Sequence, residues 1–364
     1  MLGLLVERGV CHETETRPKR SESTADLNTL RAFMDELAAQ TWWKYRDGHS
    51  LGLAPAEESV TDSNLLELHR RFPQLAVRRL TKSAEKRVGA DWEWWVGSAS
   101  DGWLCLRIQA KRINDSGYPM LDHPGFEDDD RQYEALIRSC QDTHFFPYHV
   151  FYNGWERTRF RASDGALDDR TVLENNPSWP HTEPPPFLIA DVDPHRLPEV
   201  RMVRPDGREL VWWGCAAMST YRVAELHSVT KQRNYAPRYL ARAMPWSRLF
   251  ATRPNEGLPG VDPFVFVEAG LLNRIHYLLL SDTVAAGGAV RDIDKVSVAP
   301  DGIEELQGRR ISQLPDYARA ILRGRAAPQR FDEAFFEAEL APATYTIVTD
   351  LTRFFEGRGV DRQW

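Results

Sequence analysis

The chain has 364 residues, with 46 Lys+Arg against 53 Asp+Glu and a formal charge of −7. Hydrophobic residues make up 42% and charged residues 27%, a globular composition that excludes collagen-like, disordered and disulfide-scaffold proteins. The acidic balance argues against coating nucleic acid by charge alone, but it leaves room for a local basic site.

In chain order, the opening apolar run of Met1 to Val6 is too short for a signal-peptide core. Residues 11–24 read as a polar, flexible lead-in. Leu27, Leu30, Phe33, Met34, Leu37 and Ala38 then fall at helical spacing, which predicts an accessory helix over 25–45 ending before Asp47-Gly48. Residues 1–48 thus form an N-terminal addition. A domain over 49–285 follows, in keeping with a length that suggests about two domains.

That domain opens with a helix from Glu58 to Phe72, its core contacts Leu65, Leu66 and Leu68. A strand is expected at Leu75–Leu80, then two more at Val88–Val96 and Trp103–Arg112 joined by residues 97–102. Glu127–Asp130 reads as a solvated acidic loop. Tyr133, Leu136, Ile137 and Cys140 make a helix face, and Phe145–Tyr152 is an aromatic strand. The order is α-β-β-β-α-β.

Beyond it, seven prolines in 176–198 rule out a long helix. Residues 209–213 read as a strand, 216–229 as a helix and 264–281 as a buried apolar segment. Residues 286–364 read as a C-terminal α-rich addition with a helix near 331–340. No stretch is long and apolar enough to cross a membrane. The four cysteines, Cys11, Cys105, Cys140 and Cys215, form no CxxC pair, and Cys215 reads as buried. A reduced, cytoplasmic protein is expected.

Chemistry concentrates in the hairpin. In 103–111, Leu104, Leu106, Ile108 and Ala110 alternate with Arg107, Gln109 and Lys111. A register in which opposed residues sum to 200 pairs Trp92 with Ile108, Trp94 with Leu106, Glu93 with Arg107 and Asp91 with Gln109. It separates apolar from polar faces, which a one-residue slip would mix. Trp92 and Trp94 read as core, and Glu93 as the partner of Arg107. Asp91, Gln109 and Lys111 converge, and oxygens of this kind bind hard divalent cations.

Gly89-Ala90-Asp91 followed by Gln109-Ala110-Lys111 resembles the signature of the PD-(D/E)xK nuclease superfamily. The element order resembles its restriction-endonuclease-like core, a mixed sheet flanked by helices. Gln in place of Glu resembles the Mrr-type enzymes, and the GADWEWW and QAK phrases look like an uncharacterised bacterial family of that superfamily. The resemblance implies a cytoplasmic, Mg²⁺- or Mn²⁺-dependent endonuclease in bacterial defence, acting on DNA ahead of RNA. A homo-oligomer stays open. It implies Asp91, Gln109, Lys111 and Glu58 as catalytic residues. The metal shell would be Glu58, Asp91, Gln109 and the Ala110 carbonyl, with Glu57 as a competitor of Glu58. Gln132 falls where RecB-like members carry a nucleic-acid-contacting Gln.

Residues 222–253 hold seven Lys or Arg against Glu225 alone, with Tyr235, Tyr239, Trp246 and Phe250 interleaved. Arg238 and Arg242, four apart, would share a helix face for nucleic acid. The alternatives are a nuclease-like module that binds nucleic acid without cutting it, and an interaction scaffold.

Overall fold

Helical periodicity and strand alternation build one mixed α/β fold around a seven-stranded sheet. The computed structural model describes residues 27–80, 89–114, 117–122, 131–140, 143–155, 211–228, 236–240, 243–250, 310–324 and 343–354, with Leu272, Ile275 and Leu279. The lead-in at 11–24, the acidic loop Glu127–Asp130, the proline segment 176–198 and the expected helix at 331–340 lie outside these residues.

Helix α1 spans Leu27–Leu51 and runs through Asp47-Gly48, where a turn is predicted. Its end is set one turn later. Leu53 N–H returns to the Gly48 carbonyl at 2.7 Å and Gly52 N–H to the His49 carbonyl at 3.2 Å, a Schellman closure. The predicted order then follows: α2 Glu57–Arg71, β1 Leu75–Arg79, β2 Trp92–Ser98, β3 Gly102–Arg112, α3 Gln132–Cys140 and β4 Phe145–Tyr152. Within α2, Leu65 and Leu68 are buried, whereas Leu66 is exposed on the opposite side.

Two later expectations change. Residues Val211–Gly214 form a 3-10 turn, not a strand, and the strand β5 is Cys215–Ser219. Helix α4 starts only at Thr220 and ends at Ser228. The alanines of β5 favour helix by propensity, but pairing with β4 and burial beneath α1 override that preference. A short helix α5, Ala236–Leu240, strand β6, Met244–Pro245, and helix α6, Asp316–Leu322, follow. Leu272, Ile275 and Leu279 of the apolar segment are buried.

The strand order is β1-β7-β2-β3-β4-β5-β6. Strand β7, Tyr345–Asp350, lies between β1 and β2, antiparallel to the first and parallel to the second. Among the described residues of the expected C-terminal α-rich addition, β7 is therefore part of the central sheet. The hairpin register is the predicted one, with Trp92↔Ile108, Glu93↔Arg107, Trp94↔Leu106 and Trp95↔Cys105. Strands β3 and β4 are parallel, and Gln109 pairs with His149.

The sheet is covered on both sides. Trp92, Trp94, Leu104, Leu106 and Ile108 pack with α1 in one cluster. Trp95, Trp103 and Cys105 pack with Leu136 of α3 and Tyr317 and Ile321 of α6 in another. The hairpin's polar residues share the second side, and they are not solvent-facing. Glu93, Arg107, Gln109 and Lys111 are all buried, at 0 to 5% exposure.

Candidate functional site

Strand β3 outruns its partner. The β2 ladder ends at Trp92↔Ile108, while β3 continues to Arg112 and stays paired with β4 along its other edge. Among the described residues no strand pairs with 109–112 on the free edge of β3, the side where β2 would have lain. Two carboxylates take its place. Ala110 N–H donates to Asp91 Oδ2 at 2.6 Å, and Arg112 N–H donates to Glu57 Oε2 at 2.9 Å. Alternate residues on one strand edge lie about 7 Å apart. In an extended strand a residue's N–H and C=O point to the same neighbour, so the Ala110 carbonyl lies on this edge too, between the two carboxylates.

Each carboxylate is held from behind. Asp91 donates its N–H to Ile108 at 2.9 Å and accepts at its carbonyl from Tyr345 N–H at 3.2 Å, so β3 and β7 fix it from both sides. Asp91 thus reaches Ile108 and Ala110, and the expected Asp91–Gln109 pair is not part of the ladder. Gly89 makes the approach, with φ 68° and a Cα so close to α3 that a Cβ would meet Leu136 N at 3.0 Å. Glu57 sits in the first turn of α2, where negative charge complements the helix N-terminus. That turn is tied to the sheet by Thr61, whose hydroxyl donates to the Glu57 carbonyl at 3.1 Å and lies 2.8 Å from the Tyr152 hydroxyl. Burial pushes the Glu57 carboxyl above the usual range, while the Lys111 ammonium and the Arg112 N–H pull it back.

Gln132, the first residue of α3, organises the QxK motif. Its Oε1 accepts from Gln109 Nε2 at 3.0 Å and from Lys111 Nζ at 2.9 Å. Gln109 Oε1 is buried with no hydrogen-bond partner among the described residues. Next to Gln109, His149 lies fully buried, with Nδ1 3.0 Å from the Thr220 hydroxyl and Nε2 without a hydrogen-bond partner among the described residues. Burial and the Lys111 charge hold its pKa well below the ordinary value, so it is neutral. Glu93, the second residue of β2, accepts from Trp95 Nε1 and Thr346 Oγ1, both at 3.1 Å. Burial raises its carboxyl and Arg107 opposes the rise.

An open cleft adjoins the free edge, lined by Glu57, Glu58, Thr61, Arg79, Asp91, Thr344 and Tyr345. Glu58 is exposed on its wall, whereas Glu57 is the acid that touches β3. Among the described residues, no three His, Cys, Asp or Glu side chains gather as a metal-binding group.

The basic-aromatic segment 222–253 is described only in part, and Tyr235 lies outside the described residues. Tyr239, Trp246 and Phe250 are core residues, and Arg222 is buried against Glu225 at 2.8 Å. Arg242 and the side chain of Arg238 lie outside the described residues. Cys215 is buried as expected; burial pushes its thiol up to about 12, which leaves it no nucleophile. Arg79, Tyr345 and His149 escaped the sequence reading. Only His149 carried a signal, as the single histidine in the aromatic and β-branched run Phe145–Tyr152.

The class of protein is thus a mixed α/β sheet protein with two carboxylates and a buried lysine at the end of one central strand. The chain belongs to a family of unknown function, DUF6615, whose model matches residues 30–350. No curated protein and no solved structure matches it. Among the described residues no helix is long and apolar enough to cross a membrane.

Proposed function

We propose that the chain is a metal-dependent nuclease of the PD-(D/E)xK type, hydrolysing phosphodiester bonds of DNA ahead of RNA, in defence against foreign DNA. One observation carries the reading. The free edge of β3 is occupied by Asp91 and Glu57, which accept from Ala110 and Arg112, and Lys111 is the residue between.

The donor set fits a hard divalent cation such as Mg²⁺ or Mn²⁺. Asp91, Glu57 or Glu58, and the Ala110 carbonyl offer hard oxygens at one strand edge, and the buried Gln109 Oε1 has no partner among the described residues. These residues would hold the ion. When bound, it supplies charge neutralisation at the phosphate and activation of water. Lys111 does the rest of the positioning. An ammonium has three donors, of which one is committed to Gln132. Two remain to orient an attacking water and to meet charge developing on a phosphate oxygen. Because Gln132 also binds Gln109, the lysine is fixed before substrate arrives.

Incubation with supercoiled plasmid, with and without Mg²⁺ or Mn²⁺, tests the reading. Cleavage should require the metal and disappear in Lys111→Met. Full activity in that variant would remove Lys111 from the mechanism.

A second reading, a nuclease-like module that binds nucleic acid without cutting it, draws on the neutral Gln109 and on the absence of a three-ligand His/Cys/Asp/Glu group among the described residues. Retention of DNA in a gel with no cleavage under any divalent metal would favour it.

A further inference from the structure

The cleft beside Asp91 is lined by three carboxylates, Glu57, Glu58 and Asp91, and by one cation, Arg79. Strand pairing fixes where that cation sits. Arg79 pairs with Tyr345 of β7, and Tyr345 pairs with Trp92 of β2, the neighbour of Asp91. Arg79 and Asp91 are therefore at the same end of the sheet, with β7 between their strands. Adjacent strands are about 4.8 Å apart, so roughly 10 Å separates the two positions across the sheet.

The head group is both held and available. Its guanidinium carbon lies 5.4 Å from the centre of the Tyr345 ring. Tyr345 is anchored in turn, its N–H on the Asp91 carbonyl and its hydroxyl on Asp62. No hydrogen bond or ion pair to a described residue engages the Arg79 donors, and the residue is exposed. Lys111 is buried, with one donor on Gln132. A phosphodiester strand entering an acid-lined cleft meets repulsion from those carboxylates. A planar, permanently charged fork in the same lining offsets it and can bind phosphate through two parallel hydrogen bonds.

We propose that Arg79, stacked on Tyr345, binds a backbone phosphate of the nucleic acid other than the one being cut and so positions the strand across the Asp91–Glu57 edge. The inference rests on the nuclease reading and deepens it. Arg79 is a positioning residue, with no part in the bond cleavage itself.

The experiment measures binding of a short DNA duplex, and of one of its strands alone, to the full chain across a series of salt concentrations. Wild type, Arg79→Ala, Arg79→Lys and the exposed neighbour Arg78→Ala are compared, each with its thermal melt. Arg79→Ala should weaken binding about tenfold, the low end for a charge-assisted hydrogen bond. It should also lower the slope of log affinity against log salt by about 1, as loss of one phosphate contact requires. Arg79→Lys should keep the slope while losing part of the affinity. The exposed position predicts an unchanged melt. If wild type binds while Arg79→Ala and wild type give the same affinity and slope, this inference is overturned and the nuclease reading stands. If wild type binds no DNA even at low salt, both fall together.

Discussion

At the scale of single residues, Gln109 and Glu57 decide how much negative charge the site carries. A neutral amide oxygen attracts a divalent ion less than a carboxylate does. Gln109→Glu should therefore keep cleavage and lower the Mg²⁺ concentration for half-maximal rate. Gln109→Leu removes the oxygen at similar bulk and should raise that concentration or abolish activity. Identical metal curves for the three proteins would detach residue 109 from the metal. Glu57 bears on stability as well as chemistry. Its carboxyl titrates above the ordinary range because burial disfavours the charge. The folded state thus holds the proton more tightly than the unfolded chain. That contribution to stability is complete below the unfolded pKa and is lost as pH rises through the raised folded one. Glu57→Gln keeps an oxygen to accept from Arg112 N–H. It should raise the melting temperature by a few degrees at pH 8, gain nothing near pH 4, and abolish cleavage. An equal gain at both pH values would show that the effect is not the buried charge.

At the scale of elements, α1 lies backbone to backbone against the chain beside β4 and β5. A Cβ at Gly214, just before β5, would stand 1.9 Å from the Ala38 carbonyl oxygen, and one at Gly154, just past β4, 1.9 Å from that of Trp42. Ala38 and Trp42 are one helical turn apart, so the helix backbone rests directly on two glycines. Gly214→Ala should cost at least the roughly 1–3 kcal/mol of core overpacking, read by chemical denaturation. A loss below about 0.5 kcal/mol would mean the helix can lift without penalty. Elements set by local pattern were legible in the sequence. The β2–β3 register followed from the alternation of Leu104, Leu106 and Ile108 with Arg107 and Gln109, because one slip would mix the apolar and polar faces. Elements set by distant partners were not. The β-branched run Thr346-Ile347-Val348-Thr349 marks a strand, but nothing local says that it enters between β1 and β2. Choosing Glu57 over Glu58 likewise needs the helix phase relative to β3, which periodicity leaves free by one residue.

At the scale of the whole molecule, the proposed nuclease is an acidic chain that would have to admit a polyanion, and a divalent ion at the Asp91 edge would offset the repulsion. Ion binding to the folded state alone stabilises it by about 2.7 kcal/mol at roughly a hundredfold excess over Kd, which is several degrees of melting temperature. Wild type should therefore melt higher in Mg²⁺ or Mn²⁺ than in chelator. Asp91→Asn preserves an acceptor for Ala110 N–H but removes the charge, and its melt should not respond to metal. Lys111→Met separates binding from chemistry. Losing the ammonium removes a cation that repels the ion and leaves Gln132 still held by Gln109. Its metal response should match or exceed that of wild type while cleavage is gone. A wild-type melt indifferent to divalent ions, or one that Asp91→Asn does not alter, would place metal chemistry elsewhere and leave Asp91 as the residue that caps the open edge of β3.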